Sequence, residues 1–297
     1  MTIEEINAYL LTPRKIDFDD NIMVSLSAIQ STATQDSNEE LANKCWVLQT
    51  IFQVQKTYVE AFDLLRTQKY EEAWGLYERI EIGLSHLNRH SDYSKNEYGL
   101  LFIALQTAEF QKLFPYKMFM SREMIIGKER CTICGKEITS PRNACEHIVG
   151  NLYMGKMCCR EVMDIKFVGL ALTQTPFDKY TIIKPEGCEY DYSALEMLLE
   201  RIQSPYGLWK LATIKERDKK FDNIGANEKC PCGSNNKYKK CCWGTDKEFK
   251  VRHRIDICEG EPFPETPIKE VGTWKKWKDP EKDQGLKGTV ALLKLNK

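Results

Sequence analysis

The chain of 297 residues carries 43 Lys/Arg against 43 Asp/Glu, and this zero net charge argues against a uniformly basic coat for nucleic acid or membrane. No apolar run approaches the ~18 residues of a membrane-spanning helix. The acidic opening MTIEEINAYLLTP lacks the basic start and apolar core of a secretory signal. Twelve cysteines, most of them in two clusters, then read as metal ligands in a reducing cytoplasm rather than as a disulfide framework.

Residues 1–125 read as a helical domain. Short helices are expected near residues 3–10 and 21–30. A capping box at Ser37 and Glu40 is expected to open a long helix whose apolar stripe runs through Leu41, Cys45, Leu48, Phe52, Val59, Phe62 and Leu65. A break at 66–69 precedes a second long helix carrying Ala73, Leu76, Ile80, Leu84 and Leu87. A further capping box, Ser94 with Glu97, is expected to open a helix that ends near Phe114. Lys69-Tyr70-Glu71-Glu72-Ala73, with Tyr77 and Ile80, resembles one tetratricopeptide helical hairpin; a solenoid needs about three such repeats, so the resemblance implies a single hairpin within a small helical domain. Cys45 sits on the apolar stripe as a core residue. His86 and His90 stand one turn apart at a helix end, without a third ligand nearby.

Residues 126–206 change to Gly, Pro, Cys and β-branched residues and read as a small zinc-binding α+β module. Cys131 and Cys134 form a zinc-knuckle pair closed by Gly135, and Cys145 with His147 forms a second pair ten residues on, a spacing by which one ion joins two short hairpins. These four are the expected ligands. Cys158 or Cys159 is the alternate for one of them, and one of the two is expected to pack beneath the site. Cys131, Cys134, Gly135, Cys145, His147, Gly150, Tyr153, Gly155 and Cys158 loosely resemble zinc modules of phage and mobile-element proteins, which implies a bacterial mobile-element or phage-defence setting. Residues 167–183 read as two strands about a Pro-Phe-Asp turn, and 193–203 as an amphipathic helix with Ser193 and Glu196 as capping box.

Residues 207–224 read as a charged connector. Residues 225–246 hold Cys230 and Cys232, then the adjacent Cys241 and Cys242, the four soft thiolates that tetrahedral zinc requires. A bridge between Cys241 and Cys242 would be strained. Pro231 and Gly233 shape the turn of the first pair, and amides near Gly233 and Ser234 are placed to donate to the thiolates. The run GANEKCPCGSNNKYKKCCWG resembles the SEC-C motif, first recognised at the C-terminus of the SecA translocation motor; the resemblance covers about twenty residues and implies zinc and a contact surface. Residues 247–297 read as an extension with a Pro-rich stretch (260–267), an aromatic-basic run (273–278) and a last strand. Cys188 and Cys258 are isolated.

The fold class expected is therefore α+β, with helices first and two zinc modules after. Common catalytic signatures are missing: there is no HExxH, phosphate-binding Gly loop, G-x-S-x-G or deaminase H-x-E with P-C-x-x-C. Asp17, Asp19 and Asp20 read as a solvated loop. Charge is uneven: residues 1–125 hold 12 Lys/Arg and 18 Asp/Glu, whereas 207–254 hold 13 and 6. The expectation is a zinc-dependent protein-interaction adaptor. Nucleic-acid binding through Lys237, Tyr238, Lys239, Lys240, Trp243, Arg252 and Arg254 is the alternative.

Overall fold

The computed structural model describes residues 1–12, 14–184, 186–187 and 189–257. Cys188, Cys258, the Pro-rich stretch, the aromatic-basic run and the expected last strand lie outside the described residues. The architecture is mixed α+β. The described residues form two compact units, one ending at Tyr206 and one beginning at Gly207.

In the first unit, α1 (Ile3–Leu11), α2 (Asn21–Gln35), α4 (Tyr70–Leu87), α5 (Leu100–Leu113) and α6 (Ser193–Leu199) all pack on α3 (Glu39–Arg66) or on its neighbours. Six of the seven residues of the α3 stripe, from Cys45 through Leu48, Phe52, Val59 and Phe62 to Leu65, are buried. Burial of such a continuous face, more than helix propensity, holds a helix of this length in place. Among the polar residues buried in this core, Gln55 Nε2 donates to Leu10 O at 3.0 Å and to Tyr98 O at 2.8 Å, tying the end of α1 and the entry to α5 to α3.

The helix boundaries differ from the capping boxes read in the sequence. Ser37 does not cap α3. It ends α2 in the left-handed region, at φ 56°. The amide of Asn38 donates to Ala33 O at 2.7 Å and that of Ser37 to Thr34 O at 3.2 Å, a Schellman closure. Asn38 is the N-cap, its Oδ1 accepting from Leu41 N at 3.1 Å. The α3–α4 junction repeats the device with Gln68 at φ 60° and Lys69 N donating to Leu64 O at 2.9 Å. The third helix end is likewise displaced. Residues 94–98 form turns and α5 begins only after Gly99, whose φ is 70°. In α6, Tyr192 is the N-cap and makes no side-chain cap bond, while Asp191 Oδ1 accepts from Ser193 N. In each case a Ser-x-x-Glu spacing is present, but backbone closure or a neighbouring Asn, Gly or Asp fixes the start.

After α5 the chain forms a long antiparallel ribbon of β1 (Phe119–Cys131) and β5 (Arg160–Thr173), with β2 (Glu137–Ile138) added at one end of β1. β1 thus begins ahead of the change in composition at 126. The two strands expected in 167–183 are a continuation of β5 to Thr173, followed by one isolated bridge between Phe119 and Ile182. Both ends of the ribbon are anchored. At the far end Phe119 stacks on Trp74, whose Nε1 donates to Lys179 O at 2.7 Å. The near end carries the first cysteine cluster.

In the second unit the stretch read as a connector contains β6 (Trp209–Arg217), which pairs along its length with β7 (Phe249–Ile257). The charged residues hid the alternation: Lys210, Ala212, Ile214 and Glu216 face one way and Leu211, Thr213, Lys215 and Arg217 the other. The ribbon brackets a small core of Phe221, Cys230, Tyr238 and Cys242. No helix among the described residues is long and apolar enough to cross a membrane.

Candidate metal centres

Between the strands of the long ribbon, residues 131–159 form a compact insert. Cys131 lies at the end of β1, Cys134 on the following knuckle turn, and Cys145 and His147 on the loop after a 3-10 turn at Pro141–Asn143. One ligand atom from each of the four lies within 4.8 Å of the others. The knuckle is closed by Gly135 N donating to Cys131 O at 2.9 Å and Cys131 N donating to Lys136 O at 3.0 Å. Burial raises the Cys131 thiol, but the amides of Cys134 and Ile133 donate to it and the net shift is downward. Burial likewise raises Cys145, yet Arg160 and His147 outweigh it and bring the thiol down to about 6. Arg160 Nη1 lies 3.4 Å from Cys145 Sγ, and its Nη2 donates to His147 O at 3.2 Å. The Nδ1 of His147 is buried and has no hydrogen-bond partner, an orphaned nitrogen that a metal would satisfy.

The alternates take different places. Cys158 is fully buried and packs with Ile138, Ile133 and Tyr153, and its Sγ lies 3.9 Å from that of Cys131, a separation that sulfurs sharing one ion would also have, so it stays the alternate for one of the four. Cys159 is half-buried, is not among the four clustered residues, and its amide donates to Thr132 Oγ1 at 2.8 Å.

This insert is held down on the helices. Strands β3 (Leu152–Tyr153) and β4 (Lys156–Met157) are joined by Met154 and Gly155, with φ of 48° and 74°, the primed turn that suits a two-residue hairpin. The turn meets α2 and α3. Gln30 Nε2 donates to Gly155 O at 2.6 Å, Gly155 N to Asn43 Oδ1 at 2.7 Å, and Met154 N to Glu39 Oε1 at 3.3 Å. From the end of α4, Arg89 Nη1 donates to Val149 O at 2.5 Å, and His90 Nε2 lies 2.7 Å from Gly150 O. A Cβ on Gly155 would stand 2.8 Å from the backbone oxygen of Ala42, so glycine is required by contact as well as by φ. His90, which stands one turn from His86, is therefore a docking residue for the insert, and neither histidine is among the cluster residues.

In the second unit Cys230, Cys232, Cys241 and Cys242 converge in the same way, each sulfur within 4.8 Å of the rest. The first pair lies on a tight hairpin fixed by Cys230 N donating to Asn236 O and Tyr238 N to Glu228 O, each at 2.8 Å. The second pair follows a 3-10 turn at Tyr238–Lys240. The unusual backbone of Cys241, φ −127° and ψ −88°, lets neighbouring side chains reach one point. Cys232 Sγ is 3.5 Å from Cys241 Sγ, which is 3.7 Å from Cys242 Sγ. Four sulfurs about 2.3 Å from a tetrahedral ion would be about 3.8 Å apart, so these separations suit one. Ser234 lowers the Cys232 thiol to about 6, first through its hydroxyl and then its amide. The nine cysteines in and beside these clusters, at 131, 134, 145, 158, 159, 230, 232, 241 and 242, are free of disulfides.

Around the second cluster the expected contact residues divide. Lys237, Lys239 and Lys240 are exposed, and no carboxylate among the described residues pairs with them. Trp243 is 52 % exposed. Tyr238 is a correction: it is buried at 2 % exposure, stacked on Phe221, and its hydroxyl accepts from Arg217 at 2.8 Å. An aromatic ring there fills the core that backs the thiolates. Arg252 and Arg254 are engaged on the ribbon, with Glu216 at 2.9 Å and Asp256 at 2.5 Å. Asp20, in the acidic loop of the first unit, pairs with Lys56 at 2.6 Å.

A family model for the SEC-C motif matches residues 227–244, the segment that contains all four cysteines of the second cluster. No curated protein and no solved structure matches the chain significantly.

Proposed function

We propose that this chain is a zinc-stabilised, non-catalytic interaction protein that works in the cytoplasm. Each cluster would hold one Zn²⁺, the first through Cys131, Cys134, Cys145 and His147 and the second through Cys230, Cys232, Cys241 and Cys242. Both sets supply four protein donors from thiolate and imidazole, the closed pattern of structural zinc, which leaves no position for a reacting water. The ion would supply folding free energy to segments too short to bury a core. The resemblance to one tetratricopeptide hairpin in α3 and α4 supports a protein partner for the helical unit. The phage or mobile-element setting rests on the resemblance of residues 131–158 to such modules.

The observation that carries the contact role is the placement of Lys237, Lys239 and Lys240. They sit between the ligand pairs with exposed side chains, and among the described residues no acid neutralises them. Their charge would offset part of the −2 of a four-thiolate zinc and would still face a partner. The same lysines beside exposed Trp243 favour the second reading, a nucleic acid whose phosphates meet the lysines and whose base stacks on the indole. Capture of partners with the wild type and with a Lys237→Glu, Lys239→Glu, Lys240→Glu variant, with and without nuclease, tests the role. The variant should keep both zinc ions and lose a partner. Loss that follows nuclease and a steep salt dependence identifies nucleic acid. A variant that keeps every partner removes the contact role from this face.

A further inference from the structure

We propose that the β1–β5 ribbon is the interface through which two copies of this chain associate. The inference goes beyond the zinc sites and the contact face of the second unit. It starts from the register. Met120 pairs with Leu172, Arg122 with Leu170, Met124 with Phe167 and Ile126 with Ile165, so these eight side chains share one face of the ribbon. The irregularity between Glu123 and Met124 sets Val168 aside, which keeps Phe167 on the same face as Leu170. The opposite face over the same span carries Ser121, Glu123, Gly169, Ala171 and Lys166, with Ile125 the one large apolar residue. The ribbon is therefore amphipathic, as a sheet is when one face is covered.

Nothing in the described residues covers the apolar face. Met124, Ile126, Ile165, Phe167, Leu170 and Leu172 are 42 %, 49 %, 54 %, 55 %, 59 % and 68 % exposed. Six large side chains at about half exposure present on the order of 600 Å² of contiguous apolar surface, the upper end of what a monomer leaves open. A standard interface takes ~800 Å² from each partner, so this face with its rim is the size one side of a dimer needs.

A second copy fits the chemistry of the face. Its one charged residue, Arg122, is already paired with Asp178 at 2.9 Å. Two such faces brought together by a two-fold axis would therefore oppose no unpaired like charges. An isologous contact asks only that the patch be compatible with itself, and a neutral aliphatic face with one aromatic is. A partner chosen for the acidic or basic regions of this chain would have no complementary charge here to recognise. Anchoring of both ribbon ends on the helical unit holds the strands in place before association, which lowers the ordering cost of binding.

Sedimentation of the full chain in its zinc-loaded form, across the low to high micromolar range, tests this. The expected particle has twice the 34.5 kDa chain mass. A Phe167→Lys, Leu170→Lys variant should shift to the single-chain mass while keeping its zinc content and helical circular dichroism. Charge reversal on the opposite face, Glu123→Lys with Lys166→Glu, should leave the double mass in place. Hydrogen exchange at residues 120–126 and 165–172 should slow as protein concentration rises. A single-chain mass at all concentrations overturns the proposal, as does a double mass that survives the two lysines. Concentration-independent protection of the face also overturns it, because the cover would then be the chain's own.

Discussion

Arg160 opens β5 and reaches back across the first cluster, touching Cys145 Sγ and the His147 carbonyl. It holds the second ligand pair toward the first, and a partner that orients ligands typically contributes 10- to 100-fold to metal affinity. Arg160→Met should therefore weaken zinc at that cluster by about 10- to 100-fold in a competition titration against a chromogenic chelator. The Cys230 cluster should titrate as in the wild type. An equal loss at both clusters would mean that Arg160 acts on the fold at large. Cys241→Ser should release one zinc and disorder the Phe221, Tyr238 and Cys242 core, since metal and local folding are coupled there. The helical signal should persist, because α1 to α5 have their own buried stripe. Collapse of that signal would show that the second unit is needed by the first.

At the scale of the element, the junction between α2 and α3 gives a sharp comparison. Asn38→Ala removes the bond to Leu41 N and should cost ~1 kcal/mol in denaturant unfolding. Ser37→Gly should stabilise by about 1 kcal/mol, because a non-glycine residue pays for the left-handed backbone. If Ser37 were instead the cap, Asn38→Ala would cost little and Ser37→Gly would destabilise by a few tenths of a kcal/mol. This junction also shows what the sequence could and could not carry. The α3 stripe was legible because helical periodicity is local, and the two four-residue clusters were legible because knuckle spacing is local as well. Ser37, Ser94 and Ser193 misled because a Ser-x-x-Glu spacing says nothing of the backbone closure that competes with it. β6 was hidden because Lys210, Lys215, Glu216 and Arg217 are charged on both faces of an exposed ribbon. Tyr238 was read as a contact residue because it lies among lysines. Only the tertiary arrangement places its ring on Phe221.

Across the whole chain, the two cysteine clusters sit in different surroundings. The first is stitched to three helices through the turn at Gly155 and the loop at 149–150, so its loss should be felt beyond its own residues. Gly155→Ala, with a Cβ 2.8 Å from Ala42 O and a positive φ, should expose the insert and speed hydrogen exchange at 150–157 and in the last turns of α2. Exchange unchanged there would show that the insert is held by the metal alone. The second cluster stands within its own short unit and should unfold locally on chelation. The account depends on two closed zinc centres in one chain. The most direct measurement is elemental analysis of protein purified without added metal, set against quantitative amino-acid analysis. The account predicts two zinc ions per chain, both released only under denaturing conditions or strong chelation. One zinc per chain would remove the Cys131, Cys134, Cys145 and His147 centre, and iron in place of zinc would contradict the structural role of both.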